Sequence, residues 1–230
     1  MSKELGAISV DALGAYVDQA DPSRRTGGMY RSTFKRVFDL VFALMLLPLI
    51  APIVLVLWLA VRRDGGPGFF GHVRIGRDGK PFKCWKLRSM RVDAAAALVE
   101  HLAKNPDAAA EWARDQKLTV DPRVTPLGAF LRKSSLDELP QLWNVIRGDM
   151  SLVGPRPIVR AELPRYGCHA AEYMAERPGV TGLWQVSGRN DVSYDERVMM
   201  DVEYQQKMSF RLDIQIILGT LGAVIARTGR

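Results

Sequence analysis

The chain has 230 residues, of which 47% are hydrophobic and 25% charged, with a formal charge of +7 and a pI near 9.6. That length gives room for one domain of good size plus a tail or anchor. Two cysteines, Cys84 and Cys168, exclude a disulfide framework and zinc spacing, and three scattered histidines make no metal cluster. The basic balance points to an acidic partner such as nucleic acid, nucleotide or anionic lipid headgroups, although no Walker loop and no GxGxxG is present.

Residues 1–30 read as a mobile polar tail with a Gly27-Gly28 hinge, and the apolar core of a signal peptide is missing from it. Residues 31–63 read as a membrane element. Leu40 to Val61 carries no charged residue over 22 positions, and a straight helix of that length runs roughly 33 Å, enough to cross a bilayer. Two features favour a segment that dips into one leaflet and returns. Pro48 and Pro52 near the middle each remove a backbone donor and bend a helix. Both flanks are basic, with Arg31, Lys35 and Arg36 before and Arg62, Arg63, Arg74 and Arg77 after, whereas a crossing segment concentrates Lys and Arg on one side. An ordinary spanning helix with a tolerated kink is the alternative.

Residues 64–230 read as one domain. Phe69 to Met90 gives two short strands around Gly76-Arg77-Asp78-Gly79-Lys80, where Asp-Gly is a hairpin signal. Alternation puts Lys86 and Arg88 on one face of the second strand, as a phosphate rest or as a solvated edge that lysines protect from aggregation. Asp93 to Leu118 is Ala-rich and helical, with a break at Asn105-Pro106, and carries no chemistry.

Ser134 to Pro157, SSLDELPQLWNVIRGDMSLVGPRP, holds the densest signal. Ser135-x-x-Glu138 has the pattern of a capping box. It places Asp137 in a first helical turn, where the helix dipole holds a carboxylate pKa down. Pro140 sits late for that cap, so a start one or two residues further on is the other option. Either way Asp137 is expected to be ionised at neutral pH, fit for a nucleophile or a Mg2+ ligand. A capped surface helix with two solvated acids fits the same residues. Gly154-Pro155-Arg156-Pro157 then presents one guanidinium on a stiff backbone.

Beyond it, a helical stretch runs to about Glu176 with a break at Tyr166-Gly167. Arg177 to Asn190 follows as a glycine-rich loop whose amides can approach an anion, with Trp184 available to stack on a base and Arg189 to pair a phosphate. A plain loop with a packed tryptophan is the other reading. Tyr194 to Lys207 is a charged helix. Leu212 to Ala226 is apolar but too short and Gly-interrupted to span, which suits the membrane interface.

In this order the motifs resemble the bacterial sugar transferase family, the monotopic phosphoglycosyl transferases. The residues that carry the resemblance are Lys35-Arg36-Val-Phe-Asp39, Ala51-Pro52, Pro81 to Met90, Ser134 to Gln141, Gly154 to Pro157 and Arg177 to Asn190. They cover about residues 31–225. Two departures concern the membrane segment. An alanine precedes Pro52 where serine is common, and Pro48 is an extra break.

The resemblance implies a mostly helical α+β enzyme with a re-entrant helix bent at Pro48 and Pro52, a small β-hairpin and interfacial amphipathic helices. It sits on the cytoplasmic face of a bacterial inner membrane. The implied reaction moves sugar-1-phosphate from a UDP-sugar to undecaprenyl phosphate and releases UMP, with galactose as the first sugar and glucose the next. It implies Asp137 as nucleophile and Mg2+ ligand, Glu138 as partner acid, and Lys86, Arg88 and Arg156 near the phosphates. Gln185, Arg189 and Asn190 are implied on the nucleotide-sugar, and Asp213 as a further acid near the membrane face. A non-enzymatic, membrane-anchored protein that binds anionic lipid or a partner is the rival. Nucleic-acid binding rests on charge alone, without aromatic-basic interleaving.

Overall fold

A computed structural model describes residues 29–115, 117–187 and 192–225. The expected tail up to residue 28 lies outside them. The described chain is mostly helical with two small sheets, the α+β class expected.

The longest element is α1 (Lys35–Val61), which follows a π-helical turn at Tyr30–Phe34 and continues through Pro48 and Pro52. With Asp64 at its end it is long and apolar enough to cross a membrane by length and composition. Its apolar residues divide into two faces. Ala43, Leu46 and Ile50 pack into a cluster with Cys84, Leu142, Val145 and Met150. Val54, Leu57, Trp58 and Val61 pack into another with Leu87, Leu131 and Leu136. These positions recur at three- and four-residue spacing, one stripe of a helix. On the other side Val41, Leu44, Met45, Leu49, Leu55, Val56 and Leu59 are each more than half exposed. A contiguous apolar face of that length exceeds what a soluble monomer leaves to water.

Both ends of α1 are tied to the same domain. At the head, Lys35 Nζ donates to Ser151 Oγ at 2.6 Å and pairs with Asp213 at 2.9 Å and Asp39 at 3.3 Å. Asp39 in turn accepts from Ser151 Oγ and the Leu152 amide. Beside them Arg36 donates to the carbonyls of Val145 and Ile146. At the far end Arg88 donates to the carbonyls of Val61, Pro67 and Met90 and to both oxygens of Asp64. Those five bonds engage all five guanidinium N–H groups.

After α1 come β1 (Phe69–Ile75) and β2 (Pro81–Leu87), antiparallel, with Phe69 opposite Leu87 and Ile75 opposite Pro81. The turn matches its sequence signal, because Asp78 (φ 59°) and Gly79 (φ 69°) are both left-handed. The Ala-rich stretch is α2 (Ala94–Lys104) and α3 (Pro106–Asp115), broken where expected. None of the described α2 residues is buried.

Next are α4 (Pro126–Lys133), α5 (Gln141–Arg147) and β3 (Ser151–Val153). A 3-10 stretch with a kink at Gly167 leads to α6 (Ala170–Ala175). The expected glycine-rich loop is instead ordered as β4 (Gly179–Thr181) and α7 (Leu183–Ser187), with β4 parallel to β3. Its glycines serve that pairing. A Cβ on Gly179 would stand 2.2 Å from the Gly154 amide nitrogen and 2.3 Å from the Thr181 carbonyl oxygen. Both neighbours are backbone and cannot yield, so Gly179 allows two segments of the chain to meet closely; Gly188 lies outside the described residues. Gly179→Ala is therefore expected to lower stability by about 2–3 kcal/mol or more, read as the unfolding midpoint in detergent, while Gly222→Ala, in the helix closing the domain and with its Cβ meeting nothing within 4 Å, is expected to raise it by up to about 1 kcal/mol.

The domain closes with α8 (Tyr194–Lys207), opened by a Ser193/Glu196 capping box, and α9 (Phe210–Ile225). Tyr204 of α8 and Ile216 of α9 bury against Val153 of β3.

Candidate active site

The acidic pair sits between α4 and α5. Thr125 caps α4 by accepting from the Gly128 amide. The chain then reverses at Ser135, a non-glycine residue at φ 56°, and makes a 3-10 turn over Leu136–Glu138 before α5 begins at Gln141. The expected cap on Ser135 is not formed, since its side chain makes no capping bond. Pro140 is the reason. A helix starting at Leu136 would place it one turn in, where it lacks the N–H for the Leu136 carbonyl and its ring collides with that oxygen. The α-helix starts later than either expected position, at Gln141 with Pro140 as its N-cap.

The expected low pKa at Asp137 is also overturned. Asp137 is 7% exposed, and burial pushes its carboxyl up to about 6, with Glu138 adding to the rise while Lys86 and Arg132 oppose it. Desolvation exceeds any helix-dipole effect, and the dipole of α5 starts only at Gln141. At neutral pH the group is still mostly ionised, by a margin of about one unit.

Glu138 is paired with Lys86 of β2, Nζ to Oε1 at 2.5 Å. Arg156, in the loop after β3, lies with its guanidinium carbon 5.3 Å from the Trp184 ring centre, and Arg197 of α8 lies 4.9 Å from the same ring. Trp184 is buried and is occupied by two cations rather than offered to a base. Behind the loop, Asp201 of α8 is buried and accepts from Tyr166 Oη at 2.8 Å. Burial pushes Asp201 up to about 7 against the Tyr166 bond and the Arg156 backbone.

These parts border a cavity of about 520 Å3. Its lining includes the polar side chains of Arg74, Lys86, Lys133, Glu138, Arg156 and Gln185 and the apolar side chains of Phe42, Leu46 and Ile50 from α1 and of Ile217 and Leu221 from α9. Asp137 is not among the lining residues; its neighbour Glu138 is. Cys84 also lines it, but burial pushes this thiol up to about 11, which leaves it protonated and unreactive.

The cavity thus unites Glu138, Lys86, Arg156 and Gln185 of the expected set, with Asp137 beside it. It does not include Arg88. Strand β2 ends at Leu87, and the Arg88 guanidinium is fully engaged at the end of α1, so no donor remains for a phosphate. Asp213 is likewise elsewhere. It is 0% exposed, paired with Lys35, and accepts from Tyr204 Oη at 2.8 Å and Tyr30 Oη at 2.6 Å. It binds the head of α1 to α8 and α9. Arg189 and Asn190 lie outside the described residues.

Two cations at the site were not singled out from sequence. Arg74 shares a hairpin face with Lys86, since Phe70 opposes Lys86 and Arg74 opposes Phe82. It donates to the Pro157 carbonyl, which links the hairpin to the Arg156 loop. That register follows from the five-residue turn, so the signal was present. Lys133 had no comparable signal; it reaches the cavity from the last position of α4, two residues before the Ser135 reversal.

Among the described residues no group of three or more His, Cys, Asp or Glu side chains is placed to hold a metal. The two adjacent carboxylates of Asp137 and Glu138 still suit Mg2+, which typically takes one or two carboxylates and completes its shell with waters and substrate phosphates. The burial that raises Asp137 is the environment a nearby cation would relieve.

Comparison with known proteins places the chain among sugar transferases. Residues 30–227 match the family model described as bacterial sugar transferase. A UDP-galactose-lipid carrier transferase of Erwinia amylovora is 54% identical over 195 residues, which is 85% of this chain and 41% of that protein. An undecaprenyl-phosphate galactose phosphotransferase of Salmonella typhimurium is 53% identical over the same shares. The exopolysaccharide production protein ExoY of Rhizobium meliloti is 50% identical over 207 residues, 90% of each chain. The chain spans about two-fifths of the length of the first two relatives and nearly all of the third. With the family model covering almost the whole chain and the acidic pair, basic strand and Gly-Pro-Arg-Pro loop meeting around one cavity, this chain belongs to the bacterial sugar transferase family.

Proposed function

We propose that the protein transfers a sugar-1-phosphate from a UDP-sugar to undecaprenyl phosphate, by way of a sugar-phosphate ester of Asp137. The observation that carries this is one cavity lined by Glu138, by several cations and by apolar side chains of α1 and α9, with Asp137 next to it in the chain. A water-soluble diphosphate suits its charged side chains and a polyprenyl chain its apolar ones. The names of the relatives from Erwinia amylovora and Salmonella typhimurium favour galactose as the sugar.

In the first step an Asp137 oxygen attacks the β-phosphorus, and the bond from that phosphorus to the bridging oxygen breaks, so that UMP leaves with both electrons. In the second, an oxygen of the lipid phosphate attacks the same phosphorus and returns the carboxylate. The products are UMP and the sugar diphospholipid. Lys86, Arg74 and Arg156 offset the negative charge that gathers when a carboxylate meets a diphosphate. Bound at Asp137 and Glu138, Mg2+ would supply further charge neutralisation of the diphosphate. Asp137 is the better nucleophile because burial has stripped it of water, while Glu138 is held by Lys86. One observation favours Glu138 instead: it, and not Asp137, borders the cavity.

α1 is read as a membrane-dipping helix rather than a crossing one. Support comes from its two ends and its inward stripe, all bound to one domain, while the apolar face opposite is uncovered. That keeps the cavity at headgroup depth on the cytoplasmic side, where UDP-sugars and the lipid phosphate meet.

The test is UMP release by detergent-solubilised protein with Mg2+ and undecaprenyl phosphate across a panel of UDP-sugars. Release with UDP-galactose, dependent on the lipid and lost on chelation, is the expected result. Because Asp137 must be ionised and its pKa is raised, kcat/KM is expected to fall about tenfold per pH unit below about 6. An acid limb centred near 4 would remove the buried carboxylate from the reaction. Silence across the panel from folded protein would favour the lipid- or partner-binding rival.

A further inference from the structure

A second polar cleft lies away from the cavity, at the head of α1. Its volume is about 20 Å3, and it is bordered by Arg31, Lys35, Arg36, Arg77 and Arg177 with only Asp39 and Glu176 as acids. Both acids are already engaged. Asp39 serves Lys35, Ser151 and the Leu152 amide, and Glu176 pairs with Arg31 at 2.7 Å. No ion pair among the described residues joins a carboxylate to Arg36, Arg77 or Arg177. Arg36 is held by two carbonyls of α5, and Arg177 by the Gly148 carbonyl. These contacts fix the guanidiniums without neutralising them. Burial lowers the pKa of Arg177, and the fields of Arg77 and Arg36 add to this while Asp39 and Glu176 oppose it. Arg31 Nη2 is buried and has no hydrogen-bond partner among the described residues.

Clustering half-buried like charges is unfavourable unless an anion joins them. A buried guanidinium N–H without a partner calls for an unseen acceptor. Placement narrows the class of anion. Lys35, Arg36 and Asp39 immediately precede the uncharged run Leu40 to Val61, so the cleft sits where α1 meets the polar surface of an apolar phase. Phosphates of lipid headgroups lie at that depth, and arginine binds phosphate in a planar, bidentate way.

We propose that this cleft binds the phosphate group of an anionic phospholipid, separately from the reacting lipid in the cavity. The site anchors the head of α1 and sets the depth of the domain on the membrane. It does not depend on the chemistry at Asp137.

The test is thermal unfolding of the full chain in neutral detergent with added dihexanoyl-phosphatidylglycerol, dihexanoyl-phosphatidylcholine or inorganic phosphate. Phosphatidylglycerol is expected to stabilise at concentrations about tenfold or more below phosphatidylcholine. The double variant Arg77→Gln, Arg177→Gln is expected to abolish that preference. Removal of the same charge at exposed sites, Arg91→Gln with Lys104→Gln, is expected to keep it, as is Arg177→Lys, which guards against loss through misfolding. Stabilisation by inorganic phosphate as strong as by phosphatidylglycerol would overturn the lipid as source. Equal response of the wild type and the Arg77→Gln, Arg177→Gln variant would overturn the site.

Discussion

Asp137→Asn is expected to lose at least about 10^3-fold in turnover while gaining stability. The two effects have one cause. In the folded chain the carboxyl is buried and its pKa is raised from 3.8 to about 6, so holding it ionised works against folding. The penalty is absent below the unfolded value near 4. It grows as pH rises towards 6 and is constant above. At pH 7.5 it corresponds to about 3 kcal/mol, which an uncharged isostere avoids. Thermal unfolding of wild type and Asp137→Asn at pH 7.5 and pH 5 checks this: the variant is the more stable at 7.5, and the gap narrows at 5. A variant that is inactive and also less stable would mean that the carboxylate is held by structural bonds instead. A stability gain paired with full activity would remove Asp137 from the reaction.

The second large effect is expected at Lys35. Its ammonium bonds to Asp39 and Asp213, which are 1% and 0% exposed. Lys35→Ala leaves two carboxylates buried together, and breaking such a pair costs about 3–5 kcal/mol. Because the three residues join α1 to β3, α8 and α9, the loss should free the head of α1 as well as lower the unfolding midpoint. Hydrogen exchange at Tyr30–Phe34 and the first turns of α1 reads the first, and denaturant unfolding in detergent the second. Adding Asp213→Asn to Lys35→Ala should restore part of the stability, since one of the stranded charges is gone. Lys104→Ala, which breaks an exposed pair with Glu100, should leave the midpoint in place. An equally small effect of Lys35→Ala would contradict this role.

The sequence was legible where one local signal decides the outcome. The charge-free run made α1 visible, Asp78-Gly79 fixed the hairpin, and Asn105-Pro106 placed the break between α2 and α3. The order of Lys86, Asp137-Glu138 and Arg156 pointed to one site. The failures have physical reasons of three kinds. Strands β3 and β4 have three residues each, too few to show alternation, so Gly179 looked like loop when it is a close backbone contact. Ser135-x-x-Glu138 matched a capping box, but Pro140 vetoed the helix that the box requires. Arg88 and Asp213 matched charged family positions, yet their roles depend on partners 24 and 183 residues away, Asp64 and Tyr30. Such distant pairings leave no trace in local pattern. The rise of the Asp137 pKa belongs to the same kind, since burial is a property of the packed domain and not of its segment.

The measurement that bears most directly on the central claim is intact-mass and peptide mapping of the protein after UDP-galactose and Mg2+ are supplied without the lipid acceptor. The expected result is one added hexose phosphate, carried on Asp137, lost when undecaprenyl phosphate is supplied, and absent from Asp137→Asn. An adduct on Glu138, or UMP release with no adduct on either acid, would contradict the account.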